Sequence, residues 1–401
     1  MIKIIKNIEI YSPESLGKKD VVIVNDKIEG IYNNISIPKD FINIDVYDGE
    51  NKYLFPGFID AHVHLIGGGG EGGFKTRTPE IQLSNLTRAG ITTVNGCIGT
   101  DGVCRNMREL LAKVKSLNEE GITATCYTGS YEVPVKTMTD SIKGDLMLIN
   151  EVIGVGEIAL SDNRSSQPRF DEFVNLVAQA RVGGLLSGKA GVVNAHLGGG
   201  ARKLDFLFRM LEESEIPSTQ VIPTHMSRTK ELLNAGIEWT KKGGYIDITT
   251  SSDPKHLEEG ELIASDALEY LLNNKVKINQ ITFTSDGNGS MPVFNESGEL
   301  EGLGICSVDS LYDEVKKIIN KGNVKIEDAI KVITSNVADA LKLNNKGRIE
   351  KFKDADLVIV NKDDLSIDKV IAMGRLMVNS GEPILRGTFE EAIEKSFYIK
   401  K

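Results

Sequence analysis

Cysteine, histidine and tryptophan are scarce in this chain, which has four, five and one of them among 401 residues. No two cysteines form a Cys-x-x-Cys pair, so a disulfide framework is not expected and we interpret the four as free buried thiols. No apolar run is long enough to span a bilayer. Lys3 and Lys6 interrupt the first apolar residues too soon for a signal peptide, so we expect a cytoplasmic protein. The cysteines are Cys97, Cys104, Cys126 and Cys306.

Basic residues are also fewer than acidic residues. The 47 Lys and Arg residues face 57 Asp and Glu residues, which gives a net charge of −10. Nucleic acids and anionic membranes are bound through basic patches, so neither is expected as a partner. Hydrophobic content of 40% and charged content of 26% are ordinary for a globular protein. The length fits one large domain and one small domain.

Short β-type segments occur near both ends of the chain. Residues 21–24 and 357–360 are aliphatic runs that close in a polar turn, and similar segments lie at 3–10, 45–53 and 370–378. We interpret them as one small β-sandwich domain built from residues 1–54 and 347–390. Chance recurrence of a common strand-turn pattern is the alternative.

Strand-like and helix-like segments alternate between these ends. One helix is predicted over Pro79–Ala89, with Thr78 as N-cap. Another carries an apolar stripe from Met107 to Leu117 and stops before Gly121, and a late helix is predicted over Ile326–Leu341. Eight strands alternating with helices favour a (β/α)8 TIM barrel over residues 55–346, with an open doubly wound sheet as the alternative. The predicted strands are Phe58–Leu65, Ile91–Asn95, Thr123–Tyr127, Ile153–Ile158, Val192–Leu197, Gln220–His225, Tyr245–Thr249 and Ile281–Ser285.

Four of the five histidines fall at predicted strand ends. His62 and His64 are two residues apart on one strand, so their imidazoles point to the same side. In a barrel, the carboxyl ends of the strands build the active site. His256 precedes a predicted helix and receives no role. The candidate metal ligands at strand ends are His62, His64, Glu157, His196, His225 and Asp286.

This ligand set has a definite chemical preference. Imidazole and carboxylate donors suit zinc or a similar divalent ion. Six ligands exceed what one catalytic zinc normally takes, whereas two ions sharing a bridging carboxylate use them all. Such a pair lowers the pKa of a shared water and polarises a carbonyl or phosphoryl oxygen.

Several local motifs resemble the amidohydrolase superfamily. Residues 56–64, Pro-Gly-Phe-Ile-Asp-Ala-His-Val-His, look like its opening strand. The segments 65–71, 76–80, 181–186 and 285–290 are similar to those of the isoaspartyl dipeptidase branch, the β-aspartyl peptidases, and the resemblance covers nearly the whole chain. It implies a binuclear metallo-dipeptidase that hydrolyses the isopeptide bond of β-aspartyl dipeptides through a metal-bridging hydroxide. It also implies a large homo-oligomer, an octamer.

The resemblance assigns His62, His64 and Asp286 to one metal and His196 and His225 to the other. In this family a lysine carboxylated on its side chain usually bridges the two ions. Here the sequence departs, because residues 155–158, Val-Gly-Glu-Ile, contain no lysine and the segment is one residue longer than usual. We expect Glu157 to bridge the metals directly, helped by a local bulge that compensates for its shorter side chain. The alternative is that Glu157 does not align with the family's bridging position and that the bridging ligand is absent.

The resemblance also assigns the substrate contacts and the catalytic groups. Glu71 is expected to bind the substrate α-amino group, and Arg164 and Arg228 its carboxylates, which the arginine fork pairs bidentately. Tyr131 is expected to stabilise the oxyanion, and Asp286 to carry a proton from the nucleophile to the leaving amine. Smaller contacts are expected from Gly69, Thr100 and Ser290.

Three other functions stay open at this point. Another amidohydrolase acting on a cyclic amide or an N-acyl amino acid would keep the metal ligands but not Glu71, Arg164 and Arg228. A non-catalytic scaffold on the same fold typically loses ligands. A phosphotriesterase-like activity has no support in the loops.

Overall fold

The computed structural model describes residues 1–37, 43–255, 257, 259–294 and 300–390, so His256 lies outside the described residues. Five strands come first: β1 (Ile2–Tyr11), β2 (Ser15–Val24), β3 (Lys27–Tyr32), β4 (Ile44–Asp48) and β5 (Lys52–Pro56). The alternating region holds β6 (Phe58–Val63), β7 (Ile91–Gly96), β8 (Thr123–Thr128), β9 (Val152–Leu160), β10 (Val192–Leu197), β11 (Val221–Thr224), β12 (Ile246–Thr249) and β13 (Ile281–Thr284). The last strands are β14 (Ser290–Phe294), β15 (Leu300–Ile305), β16 (Leu357–Asn361), β17 (Ile367–Ala372), β18 (Arg375–Asn379) and β19 (Glu382–Pro383).

Helices separate most of the central strands. They are α1 (Leu83–Arg88), α2 (Met107–Glu120), α3 (Ile142–Leu148), α4 (Phe170–Ser187), α5 (Asp205–Glu213), α6 (Lys230–Lys241), α7 (Ala264–Asn273), α8 (Ser310–Lys321), α9 (Ile326–Lys331) and α10 (Ser335–Ala340). Short 3₁₀ turns lie at Phe74–Thr76, Ser218–Gln220 and Ile278–Gln280. Among the described residues, none of these helices combines the length and apolar character needed to cross a membrane.

The central strands form a curled parallel sheet. Strands β6 to β11 pair in sequence order, and β12 pairs with β13. Backbone bonds link the two sheets at their carboxyl ends: Met226 N–H donates to Asp247 O at 3.2 Å, and His64 N–H donates to Gly287 O at 2.8 Å. Every residue of β6, β7, β9, β10 and β11 is buried, as expected for parallel strands covered on both faces. All eight predicted central strands are confirmed, and the chain is an α/β protein.

Helix α2 follows the predicted pattern, whereas α1 does not. The Asn106 side chain caps α2 by accepting from the N–H groups of Arg108 and Glu109, and Gly121 ends it at φ 112°. The predicted helix over residues 79–89 begins only at Leu83, and Thr78 is not its N-cap. The Thr78 hydroxyl instead accepts from Gly68 N–H at 2.7 Å and donates to Asn288 O at 2.6 Å. The Thr78 hydroxyl, which the sequence predicts to cap the helix, therefore makes tertiary hydrogen bonds instead.

The late helix predicted over residues 326–341 is also wrong as a single element. It is broken between α9 and α10, and Thr334 lies at φ −132° and ψ −97°. The carbonyl of Ile333 accepts from Ile59 N–H in β6, and the carbonyl of Val332 accepts from Phe283 N–H in β13, both at 2.9 Å. These carbonyls satisfy two strand N–H groups instead of continuing the helical ladder.

Both ends of the chain contribute to one nine-stranded sheet, in the order β19-β18-β17-β16-β5-β1-β2-β3 with β4 beside β1. The two halves meet where β5 pairs antiparallel with β16. Phe55 and Val358, which pair there, belong to the large core around the central strands. The next pair, Leu54 and Ile359, belongs to a separate smaller core, because alternate residues of a strand point to opposite faces. The predicted sandwich stays a prediction.

A buried lysine lies close to this junction. Lys346 is 6% exposed, and its ammonium donates to Asp356 at 2.6 Å and to Thr123 at 2.6 Å, with Asp354 at 2.8 Å. Burial opposes its charge, but the two carboxylates outweigh burial and hold the pKa of Lys346 above its usual value. The network joins β8 of the central region to the segment that leads into β16.

Replacing Lys346 with methionine is expected to destabilise the protein by about 3–5 kcal/mol, because it leaves the buried Asp356 carboxylate without its cation, whereas Asp354 keeps its pair with Lys27. Lys18→Met is the matched control, since Lys18 pairs with Glu50 on the surface, where both side chains are more than half exposed. The control is expected to cost less than about 1 kcal/mol. Urea unfolding of the two variants measures both, and equal midpoints would contradict the prediction.

Candidate metal centre and substrate cavity

The paired histidines lie at the end of β6, as their spacing predicts. His62 is the fifth residue of the strand and His64 follows its last residue, and both side chains are buried. Their ring centres are 5.6 Å apart, and the ring of His225 lies 5.4 Å from that of His62. The ring of His196 is 4.5 Å from that of His225. Three strand ends thus bring four imidazoles into one cluster.

Glu157 lies at a bulge in β9. Two residues of β9, Gly156 and Glu157, face a single residue of β10, Asn194, where the register shifts. A bulge adds one residue to a strand and re-aims its side chains. The bulge accommodates one additional residue in β9, and the pairing of β9 with β10 resumes at Ile158 opposite Ala195.

The Glu157 carboxylate lies among all four imidazoles. Its Oε2 atom is 3.0 Å from His196 Nδ1, 3.2 Å from His62 Nε2 and 3.6 Å from His225 Nε2. Its Oε1 atom is 3.5 Å from His64 Nε2. Burial opposes the charge of this carboxylate, but the surrounding imidazoles hold the pKa of Glu157 well below its ordinary value.

Asp286 completes the cluster from the end of β13. Its Oδ1 atom is 3.0 Å from His64 Nε2 and 3.4 Å from His62 Nε2. Burial works against ionisation here too, yet the nearby histidines keep the pKa of Asp286 below its ordinary value. Asp286 and His225 have φ values of 54° and 62°. Left-handed backbone is costly for such residues and is concentrated at functional sites.

The second imidazole pair has distinct partners. His225 Nδ1 lies 2.6 Å from the Thr249 hydroxyl, and burial together with neighbouring His196 lowers the pKa of His225 to about 3. His225 is thus a neutral imidazole. The Tyr131 hydroxyl lies 2.9 Å from His196 Nδ1. Burial and the charge of Glu157 raise the pKa of Tyr131 well above its usual value, so it keeps its proton and can donate it in a hydrogen bond.

Asp162 is a charged residue of the site that the sequence reasoning missed. Its carboxylate is 3.0 Å from His196 Nε2, accepts a fork from Arg164 Nε and Nη2 at 3.0 and 2.8 Å, and lies 3.7 Å from Arg228 Nη1. Burial opposes its charge, but the hydrogen bonds from His196 and Arg164 lower the pKa of Asp162 strongly. The signal was its place after β9, two residues before Arg164.

The remaining predicted contacts gather around Glu71. Thr100 donates to Glu71 Oε1 at 2.8 Å, Ser290 donates to Oε2 at 3.5 Å, and Arg164 Nη1 lies 3.6 Å from Oε1. Gly69 has φ 69°, and a side chain there would come 2.8 Å from Ser290 Cβ and 2.7 Å from a backbone oxygen. Glycine at this position lets the loop pass close to Ser290.

Cys97 is the second residue that sequence reasoning missed. It directly follows β7, is fully buried, and its sulfur lies 3.8 Å from His64 Nδ1. Burial raises the pKa of a thiol, but the imidazoles of His62 and His64 outweigh burial and lower the pKa of Cys97. Burial raises that of Cys306 to about 12. The available signal was the strand-end position, which it shares with the predicted ligands.

The donor set fits divalent metal. In the described ranges of the chain, two groups of side chains offer ligand atoms that lie within 4.8 Å of one another inside each group. The first group is His62, His64, Cys97 and Glu157, and the second is Glu157, His196 and His225. Both ring nitrogens of His62 are buried, and neither makes a well-aligned hydrogen bond within the described part of the chain, although Glu157 lies 3.2 Å from Nε2. Buried polar atoms rarely stay unsatisfied, and a cation would satisfy the ring nitrogen that carries the free lone pair. Glu157 is common to both groups, as a bridging ligand would be.

A cavity of about 930 Å³ opens beside this cluster. Its wall brings together the residues predicted for metal binding, catalysis and substrate contact, except for His62 and Glu157, which are buried and do not line it. The predicted residues on the wall are His64, Gly69, Glu71, Thr100, Tyr131, Arg164, His196, His225, Arg228, Asp286 and Ser290. The site residues therefore converge on one space that is open to a ligand.

Comparisons with known proteins give one family match and relatives with several different activities. Residues 53–377 match the model of the amidohydrolase family. A β-aspartyl dipeptidase of Fervidobacterium islandicum AW-1, solved in complex with the β-Asp-Leu dipeptide, is 44% identical over 96% of this chain and 97% of its own, with a TM-score of 0.89. An imidazolonepropionase of Picrophilus torridus is 24% identical over 90% of each chain. A dihydroorotase of Fusobacterium nucleatum is 23% identical over 89% of this chain and 88% of its own.

Proposed function

This chain belongs to the amidohydrolase family, and from that premise we propose that it is a metal-dependent dipeptidase that hydrolyses the isopeptide bond of β-aspartyl dipeptides. The observation that carries the proposal is its full-length likeness to a β-aspartyl dipeptidase bound to such a dipeptide. The more distant relatives are named for other activities, and their identity to this chain is much lower.

The charges in the cavity suit this substrate class. A β-aspartyl dipeptide carries one α-amino group and two carboxylates, so its binding needs an anion and cations. Glu71 is the anion, and its carboxylate is oriented by Thr100 and Ser290. Arg164 and Arg228 supply the cations. Asp162 holds Arg164 in a fork, which fixes the guanidinium before a substrate arrives.

Two divalent ions, zinc by ligand type, would be held by the imidazoles, Asp286 and the shared carboxylate of Glu157. When bound, such ions lower the pKa of water and polarise a carbonyl. Tyr131 then donates its hydroxyl proton in a hydrogen bond to the oxygen that becomes negative. Asp286 accepts the proton of the attacking water and passes it to the leaving amine.

The architecture that we propose is a (β/α)8 barrel over residues 55–346 with a small β domain from residues 1–54 and 347–390. The links between the β6–β11 sheet and the β12–β13 pair support barrel closure. The separate core on one face of the terminal sheet supports the second domain. We also propose a homo-oligomer, on the strength of the family resemblance alone.

A substrate screen tests the proposed function. The purified metal-loaded protein is expected to cleave β-Asp-Leu and to leave α-Asp-Leu, dihydroorotate and N-acyl amino acids largely intact, with each substrate and its hydrolysis products separated and measured by chromatography. The α-linked dipeptide is the matched control, since it has the same composition and charges but presents a different carbonyl. Preference for a cyclic amide or an acyl amino acid would reassign the protein within its family. Full metal content without any turnover would favour a scaffold.

A further inference from the structure

We propose that Cys97 is a metal ligand, the sulfur donor to the ion held by His62 and His64. This inference rests on the proposed metal-dependent function and adds a residue to its site. The thiol loses its proton to solvent when it binds the ion, because the thiolate is the ligating form.

The position of Cys97 selects one of the two metal positions. The cysteine follows β7, the strand beside β6, and its sulfur lies within 4.8 Å of ligand atoms of His62, His64 and Glu157. The second group of mutually close ligand atoms consists of Glu157, His196 and His225, without the thiol. The sulfur is therefore placed to bind the first ion alone, whereas Glu157 reaches both positions.

A second observation points to a ligand in the same place. His62 is fully buried, and among the residues that the structure describes neither of its ring nitrogens has a hydrogen-bond partner of good geometry; its Nε2 atom faces Glu157 and Asp286 at 3.2 and 3.4 Å. A polar side chain of this kind is costly unless something satisfies it. An ion between His62, His64, Glu157 and Cys97 would do so.

The loop after Cys97 keeps this space narrow. A side chain at Gly99 would come 2.8 Å from His64 Cε1 and 3.4 Å from Glu157 Oε1. Glycine there allows the backbone to pass directly against the ligand cluster. The chain from β7 is thus packed onto the first metal position, and its cysteine is the donor that this segment brings to it.

A sulfur ligand changes which metal ions the first position binds preferentially. Thiolates are soft donors that favour zinc and cobalt over magnesium, calcium or manganese. A thiolate also adds a negative charge to a position that already has Asp286 and Glu157 nearby. The first ion should consequently be held more tightly and resist chelators longer than the ion at His196 and His225.

Cobalt substitution tests the assignment without any mutation. The zinc-free protein is reloaded with Co²⁺, and a thiolate-to-cobalt charge-transfer band is expected in the near ultraviolet. The band should disappear in Cys97→Ser and persist in Cys126→Ser, a control at another buried cysteine. Loss of a residue that only supports a metal ligand typically weakens metal binding by about 10–100-fold. Metal analysis should show that Cys97→Ser weakens binding of the first ion by more than this.

An unchanged spectrum and full metal content in Cys97→Ser would overturn the proposal. Cys97 would then be only a hydrogen-bonding neighbour of His64 Nδ1, a role that serine can keep. If Cys97→Ser fails to fold, the absence of the charge-transfer band in the unmutated cobalt protein decides against the assignment equally well. The failure of this inference is separable from that of the proposed function, because β-Asp-Leu cleavage by the unmutated enzyme is measured independently.

Discussion

Glu157→Gln is expected to reduce kcat/KM on β-Asp-Leu by more than about 1,000-fold, or about 4 kcal/mol of transition-state stabilisation. The amide keeps the shape of the side chain but removes the negative charge that lies among four imidazoles. Without that anion the buried cluster holds divalent ions poorly. Metal content measured after gel filtration should fall together with activity.

Two controls accompany this substitution. Glu151→Gln changes a carboxylate that pairs with Lys115 away from the cluster, and should leave metal content and activity unchanged. The metal-free unmutated protein should recover activity when divalent metal is added in buffer free of carbon dioxide, because a glutamate bridge needs no carboxylation. Recovery that requires bicarbonate would refute the role of Glu157 as the bridge.

Asp286→Ala is expected to lower kcat by about 10²–10⁴-fold, the usual contribution of a positioned proton carrier. The expected change in KM is much smaller, because the charges that recognise the dipeptide are on Glu71, Arg164 and Arg228. Steady-state kinetics on β-Asp-Leu separates the two effects. Metal analysis must accompany them, since Asp286 lies 3.0 Å from His64 and is also a candidate ligand.

Asp286→Asn is the informative companion, because it retains an oxygen toward the histidines but cannot accept a proton. Asp309→Ala, at an exposed pair with Arg88, controls for the general effect of losing a carboxylate. Near-normal turnover in Asp286→Ala with full metal content would remove Asp286 from the proton pathway and leave the rest of the proposal standing.

The sequence predicted what depends on local periodicity. The eight central strands and the apolar stripe of α2 follow from spacing within single segments, and the structure confirms them. The predictions from sequence were wrong where a contact with a distant residue competed with a local signal. The local sequence predicts Thr78 as a helix cap, but its hydroxyl accepts a hydrogen bond from Gly68 N–H and donates one to the Asn288 carbonyl. The late helix was continuous in pattern, but two of its carbonyls bond to β6 and β13.

By itself, the sequence determined the α/β class, the family and the residue types available at each strand end, because strand alternation fixes which side chains face the carboxyl edge. It could not determine which of those side chains meet. Only the tertiary structure brought the end of β7 against that of β6, which places Cys97 beside His64. Only the bulge in β9 aimed Glu157 at the four histidines, and only the loop after β9 placed Asp162 between His196 and two arginines. These contacts depend on the curvature of the sheet and on its register, which no single segment encodes.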